Sequence, residues 1–136
     1  MSCLLDTNII SLAMSADARV LARLSSVEAE GAAISAVTYA EIRYGLQRLS
    51  SPAVERKKEL FERLLEHLEV LPWDRHAAAA YADERTACER DGQVLDQADL
   101  MILAQAASTG RVLVTRDAAL RRRDRKGVHK TRIVAW

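Results

Sequence analysis

Asp6 closes the apolar run in SCLLDTNII, and Glu41 lies within AVTYAEIRYGL. Asp99 stands at the head of the otherwise apolar DLMILAQAA, and Asp117 follows RVLVT after one arginine. Carboxylates brought together repel one another and each loses hydration, so a convergent set is normally held by a cation. Ligands that are all oxygen select hard ions, Mg2+ or Mn2+. The chemistry that matches is metal-assisted phosphodiester hydrolysis, in which one or two ions activate water, bridge the scissile phosphate and stabilise the leaving oxygen. Each acid taken singly has an ordinary explanation: Asp6 as an N-cap, Asp96, Asp99 and Asp117 as complements to a helix dipole, Glu41 as an exposed partner of an arginine. The joint placement carries the chemical reading. Asp96, three residues before Asp99, shares its helix side and is either the helix cap or an outer partner of the site. Thr7, Asn8 and Thr115 are of the type that orients carboxylates by hydrogen bonds, and equally of the type that serves turns.

For these acids to meet, the elements that carry them must end at one edge. SCLLD, GAAIS, EVLPW, RVLVT and TRIVAW read as strands. Between them, IISLAM, ARVLARLSSVEAE, AVTYAEIRYGLQRL, the segment after Ser51-Pro52, DRHAAAAYADERTACERDG and DQADLMILAQAASTG read as helices. Asp17 and Asp74 are expected N-caps, and Gly92 and Gly110 expected stops. In the third helix Val37, Ala40, Tyr44 and Leu46 or Gln47 are expected near one face. In the fourth, Leu60, Phe61, Leu64, Leu65 and Leu68 fall at helical spacing. Strands alternating with helices predict an α/β fold, a three-layer α/β/α sandwich around a mostly parallel sheet. Sites in such sheets form beyond the carboxyl ends of the strands, where Asp6 and Asp117 fall.

The chain has 136 residues, enough for one domain over 1–136 with a real core. Aromatic residues make up only 4%, so Leu, Ala, Val and Ile must fill that core, and two Pro with five Gly argue against a loop-rich all-β protein. Cys3 and Cys88 fit neither a disulfide framework nor a ligand spacing. No apolar run is long enough to span a bilayer and no leader is evident, so a cytoplasmic location is expected. His67, His76 and His129 do not assemble into a motif, and surface positions are expected for all three. The net charge of +1 conceals an asymmetry: residues 111–136 carry nine basic side chains against Asp117 and Asp124, a balance of +7, leaving −6 for the rest. An acidic section and a basic tail suit metal ions and a polyanion together; a solvated basic segment is the plainer alternative.

LLDTNII, AVTYAEIRYGL, DQADLMILAQAASTGRVLVTRD and the closing RIVAW resemble a PIN-domain ribonuclease, and within that group the VapC-type toxins of bacterial toxin–antitoxin systems. The resemblance covers nearly the whole chain in the family's order. It implies a Mg2+-dependent endoribonuclease in which Asp6, Glu41, Asp99 and Asp117 are the acidic quartet, Asp6 and Asp99 being the principal ligands, with Asn8 and Thr115 as polar companions. It also implies a homodimer neutralised by a small antitoxin protein whose own domain binds operator DNA. The helices over 37–50 and 52–68 would receive the antitoxin, with Leu60, Phe61, Leu64 and Leu65 either a groove wall or plain core. Leu120 stands where many relatives carry an aromatic residue. RRRDRKG is more basic than the resemblance leads one to expect; Arg116, Arg121, Arg122 and Arg123, with Arg125 and Lys126, are candidate RNA contacts, through phosphates and so without sequence reading.

Two other accounts fit parts of the pattern. A phosphatase with Asp6 as nucleophile usually places a second acid two residues later, where this chain has Asn8. A non-catalytic module that keeps the fold and acts through a partner is the alternative to the nuclease, and the presence of all four acids argues against it.

Overall fold

The structure, a computed structural model, describes residues 2–136. Five strands, β1 (Cys3–Leu5), β2 (Ala32–Ser35), β3 (Glu69–Leu71), β4 (Val112–Val114) and β5 (Ile133–Val134), form one sheet in the order β3-β2-β1-β4-β5. Every pairing is parallel, with Leu5 opposite Ile34 on one side and Val114 on the other. The chain winds outward from β1 through β2 to β3, then returns to place β4 against the free side of β1. The order therefore reverses between β1 and β4, the position where open parallel sheets build their sites.

The helices are α1 (Thr7–Met14), α2 (Ala18–Val27), α3 (Ala36–Arg48), α4 (Ala53–Leu65), α5 (Arg75–Arg90), α6 (Gln97–Thr109) and α7 (Ala118–Arg121). Side chains alternate across a strand, and β1 divides the core accordingly. Cys3 and Leu5 pack with α1 to α4 through Ile9, Ile10, Val20, Ile42 and Phe61. Leu4 packs on the other face with Leu100, Leu103, Ala106 and Leu120 from α6 and α7. These are the three layers expected from the alternation of elements. Among the described residues no helix is long and apolar enough to cross a membrane.

Local chemistry sets the boundaries. Asp17 accepts from the backbone N–H of Arg19 and Val20, and Asp74 from His76 and Ala77, the bonds an N-cap supplies to orphan donors. The Ser51 hydroxyl accepts from Ala53 N ahead of α4. Gly110 ends α6 with φ 67°, a left-handed conformation that glycine adopts without penalty. Phe61 is fully buried, whereas Leu60, Leu64 and Leu65 are half-buried, the latter two packing against the core; Tyr39 lies against Phe61 with ring centroids 5.8 Å apart.

The expected face of α3 needs correction in part, since Val37 packs against the core and Leu46 is buried as expected but Ala40 and Tyr44 are not. Thr38, Ile42 and Leu46 are buried, whereas Tyr44 is 62% exposed and Ala40 lies in solvent. A threonine occupies the first turn of the buried stripe, so hydrophobicity alone placed the face one residue away, a rotation of about 100°. The corrected face carries Glu41 toward the end of β1. Truncating the residue before Asp6, Leu5→Ala, is expected to lower unfolding free energy by about 2–5 kcal/mol, read by urea denaturation; an unchanged midpoint would mean that β1 is not the packed centre of the sheet.

Candidate functional site

The residue after β1 is Asp6. It is 2% exposed and its backbone N–H donates to Val114 O at 3.0 Å, which locks the end of β1 to β4. Its side chain caps α1, with Oδ1 accepting from Thr7 N at 2.7 Å, while Oδ2 accepts from the Thr115 hydroxyl at 2.6 Å. Thr115, fully buried beyond β4, also accepts from Asp117 N at 3.0 Å. One hydroxyl thus fixes Asp6 and the backbone of Asp117 together. Asp117 in turn caps α7, Oδ1 accepting from Leu120 N at 2.9 Å.

From the β2 side, Ser35 caps α3 and the helix presents Glu41 one turn further on. Glu41 Oε1 accepts from the Thr7 hydroxyl at 2.7 Å, and Thr7 Oγ1 lies 3.1 Å from Thr38 Oγ1. A hydroxyl has one proton and an ionised carboxylate has none to give, so the chain runs from Thr38 to Thr7 to Glu41. Thr38 escaped the sequence reading; its position three residues before Glu41, on the same helical side, was the available signal. Asp99 sits part-buried in the first turn of α6, which Asp96 caps through Ala98 N.

Asp6, Asp96 and Asp117 are therefore caps and Asp99 a first-turn acid, while Glu41 lies further along α3, and the same geometry brings them within electrostatic reach of each other. Burial raises the Asp99 carboxyl to about 7, helped by the negative charges of Asp6, Asp117, Asp96 and Glu41 in that order. Burial also raises Asp6, against the bonds from Thr115 and Thr7, with Asp117 and Glu41 adding to the rise. Helix N-termini at α1, α6 and α7 offset part of this concentration of charge. Among the described residues, no three carboxylate, imidazole or thiol groups converge tightly enough to define a cation site on their own. The acids form an electrostatic cluster whose donors are hard oxygens, the set that suits Mg2+ or Mn2+.

The remaining candidates separate. Asn8 is exposed on the first turn of α1, and Asp96 is exposed as a cap. Arg116 donates from Nε to Trp136 O at 2.6 Å and pairs with Asp17 at 3.7 Å, which ties the Asp117 turn to two other segments. Arg123 must be withdrawn as an RNA contact: its side chain is 2% exposed and bound to Asp91 at 2.8 Å. Arg121 and Arg122 are exposed. All three histidines are exposed, His67 pairing with Glu28 and His129 with Asp83. Both cysteines are free and buried, and burial pushes their thiols up, away from nucleophilic use.

The chain thus places its acids at the reversal point of a parallel α/β sheet. It belongs to the PIN domain family, whose sequence model matches residues 3–126. It is 36% identical to the VapC ribonuclease Y4jK of Sinorhizobium fredii, over 85% of this chain and 86% of the relative. It is equally 36% identical to toxin FitB of Neisseria gonorrhoeae, over 84% and 86%. Among solved structures, DNA-bound VapBC from Salmonella typhimurium superposes with a TM-score of 0.82 at 29% identity, covering 100% of this chain and 98% of that one.

The raised Asp99 has a consequence for stability. Its folded value of about 7 lies above the ordinary 3.8, so the folded state binds this proton more tightly than the unfolded chain does. Its contribution is full at low pH and is lost as pH rises through about 7. In EDTA, melting temperatures followed from pH 5 to pH 8 are expected to fall for the wild type and to fall less for Asp99→Asn. Parallel curves would show that Asp99 is not held in this environment.

Proposed function

We propose that the protein is a Mg2+-dependent endoribonuclease and the toxin of a toxin–antitoxin pair, cutting RNA at Asp6, Glu41, Asp99 and Asp117. The observation that carries this reading is that Asp99, raised to about 7 first by burial and then by the charges of Asp6, Asp117, Asp96 and Glu41, stands within the field of all the other acids; such a cluster of oxygen donors is stabilised by a divalent cation. Asp6 and Asp99 would be the principal ligands, with Glu41 and Asp117 completing the set. Mg2+, or Mn2+ in its place, would supply Lewis-acid stabilisation of the phosphate and activation of water. The chain's own part is orientation. Thr115 holds Asp6 and the Asp117 backbone in register, and Thr7, itself held by Thr38, fixes one oxygen of Glu41. Groups that orient metal-binding carboxylates in this way tune affinity and activity.

The curated relatives named as ribonucleases and the VapBC and FitAB complexes among the structural neighbours support the nuclease chemistry and an antitoxin partner. On this reading the antitoxin binds operator DNA, the toxin is a cytoplasmic homodimer, and Asn8 and Asp96 act around the site rather than in it. Purified, antitoxin-free protein is expected to cut a pool of cellular RNA at discrete positions with Mg2+ or Mn2+, and not in EDTA. Asp6→Asn and Asp99→Asn should each lose at least about 100-fold in rate, because even groups one bond removed from metal ligands cost about 10–100-fold. Equal cleavage by the variants, or none by a folded wild type, would favour the non-catalytic module instead.

A further inference from the structure

The basic segment after α7 is the part of the sequence that the four acids do not use. It is not a loose tail. Buried Arg123 pairs with Asp91 in the turn between α5 and α6, Asp124 Oδ1 accepts from Ile133 N at 2.7 Å, and Arg125 N donates to Thr131 O at 2.9 Å. Buried Glu84 of α5 accepts from His129 N at 3.1 Å and occupies the space that any side chain at 127 would need, so glycine there lets the segment close onto it. Arg125 holds a left-handed φ of 57°, a conformation that persists when surrounding contacts over-determine it. The result is a fixed platform from which Arg121, Arg122, Arg125 and Lys126 point into solvent.

Between this platform and the Asp91–Val94 turn lies an open cleft of about 760 Å3, lined by Gln93, Val94, Arg122 and Lys126 among others. Asp91 is the acid on its wall, and Arg123 neutralises it, so Arg122 and Lys126 supply the uncompensated charge. The lining of the cleft includes none of the four acids, but its walls belong to segments adjoining the helices that begin at two of them. Gln93 Nε2 donates to Ala119 O at 2.7 Å, and α7 begins at Asp117; the opposite turn leads into α6, whose first turn carries Asp99. Four residues of helix rise about 6 Å, so Arg122, which follows α7, stands a short step from Asp117.

We propose that this cleft is a phosphate-binding track for single-stranded RNA extending from the catalytic acids, with Arg122 and Lys126 contacting successive backbone phosphates. The inference rests on the ribonuclease reading. Arg123 and Glu84 are positioning residues, which hold the platform without touching RNA. Contacts of this kind add affinity and salt dependence without sequence preference.

The test is fluorescence anisotropy of a labelled single-stranded RNA oligonucleotide in EDTA, across a salt series, with wild type and the double variant Arg122→Gln, Lys126→Gln. Each phosphate contact on a single strand contributes about 0.7 to the slope of log affinity against log salt. The double variant should therefore lose about 1.4 from that slope and weaken binding roughly tenfold near 0.15 M salt, with an unchanged melting temperature because both side chains are exposed. Charge reversal at both positions, Arg122→Glu with Lys126→Glu, should weaken binding further. An unchanged slope and affinity would overturn the proposal, as would an effect on duplex DNA alone. Binding is read without cleavage: a wild type that binds with this slope but cuts nothing removes the nuclease and leaves the track. One that cuts while the double variant binds equally well removes only the track.

Discussion

A carboxylate that ends the central strand of a sheet loses most of its hydration, and it stays there only if other groups meet its oxygens. Asp6 is in that position, 2% exposed, with one oxygen on the Thr7 backbone and the other on the Thr115 hydroxyl. The second bond spans β1 and β4, and its donor also receives the Asp117 N–H. The order reversal between β1 and β4 is thus both the topological consequence of winding the sheet in two directions and the reason that acids from distant parts of the sequence face each other. Had β4 been added outside β3, Asp117 would stand at the far side of the sheet from Asp6.

The same arrangement makes structural roles for the acids compatible with their gathering at one edge. Asp6, Asp96 and Asp117 are N-caps, and Asp99 lies in the first turn of a helix whose other side chains are mostly buried. Capping orients a carboxylate at no cost to its charge, because the donors it meets are backbone N–H groups at the positive end of a helix. A fold that starts several helices at one edge can therefore hold several acids there, already oriented. Their remaining repulsion falls most heavily on Asp99.

What the sequence revealed follows from which forces are local. Caps at Asp17 and Asp74 and the stop at Gly110 depend on residues within a turn of themselves and were readable from type and position. The strand RVLVT was readable because it is buried on both faces. The face of α3 was not, since Thr38 is buried to serve Thr7 and Glu41 rather than for its hydrophobicity. Nor was the fate of Arg123, whose partner Asp91 lies 32 residues earlier in a turn brought near only by the packing of α5 on α6. In a run of similar arginines nothing local marks the one that turns inward. The four acids were readable from their places after strands and in helices; the hydrogen bonds that orient Asp6, Glu41 and Asp117 came only from the structure.

The proposed function rests on Asp6, Glu41, Asp99 and Asp117 sharing one cation, and calorimetric titration of Mn2+ into EDTA-stripped, dialysed protein tests it most directly. Run near pH 6.5 in buffers of different ionisation enthalpy, it reports both binding and the proton displaced from Asp99, whose carboxyl titrates at about 7. Saturable binding with proton release, lost in Asp6→Asn and stripped of its proton release in Asp99→Asn, is the expected result. Absence of binding by the folded wild type, or binding with the same affinity and proton release in both variants, would contradict a shared site.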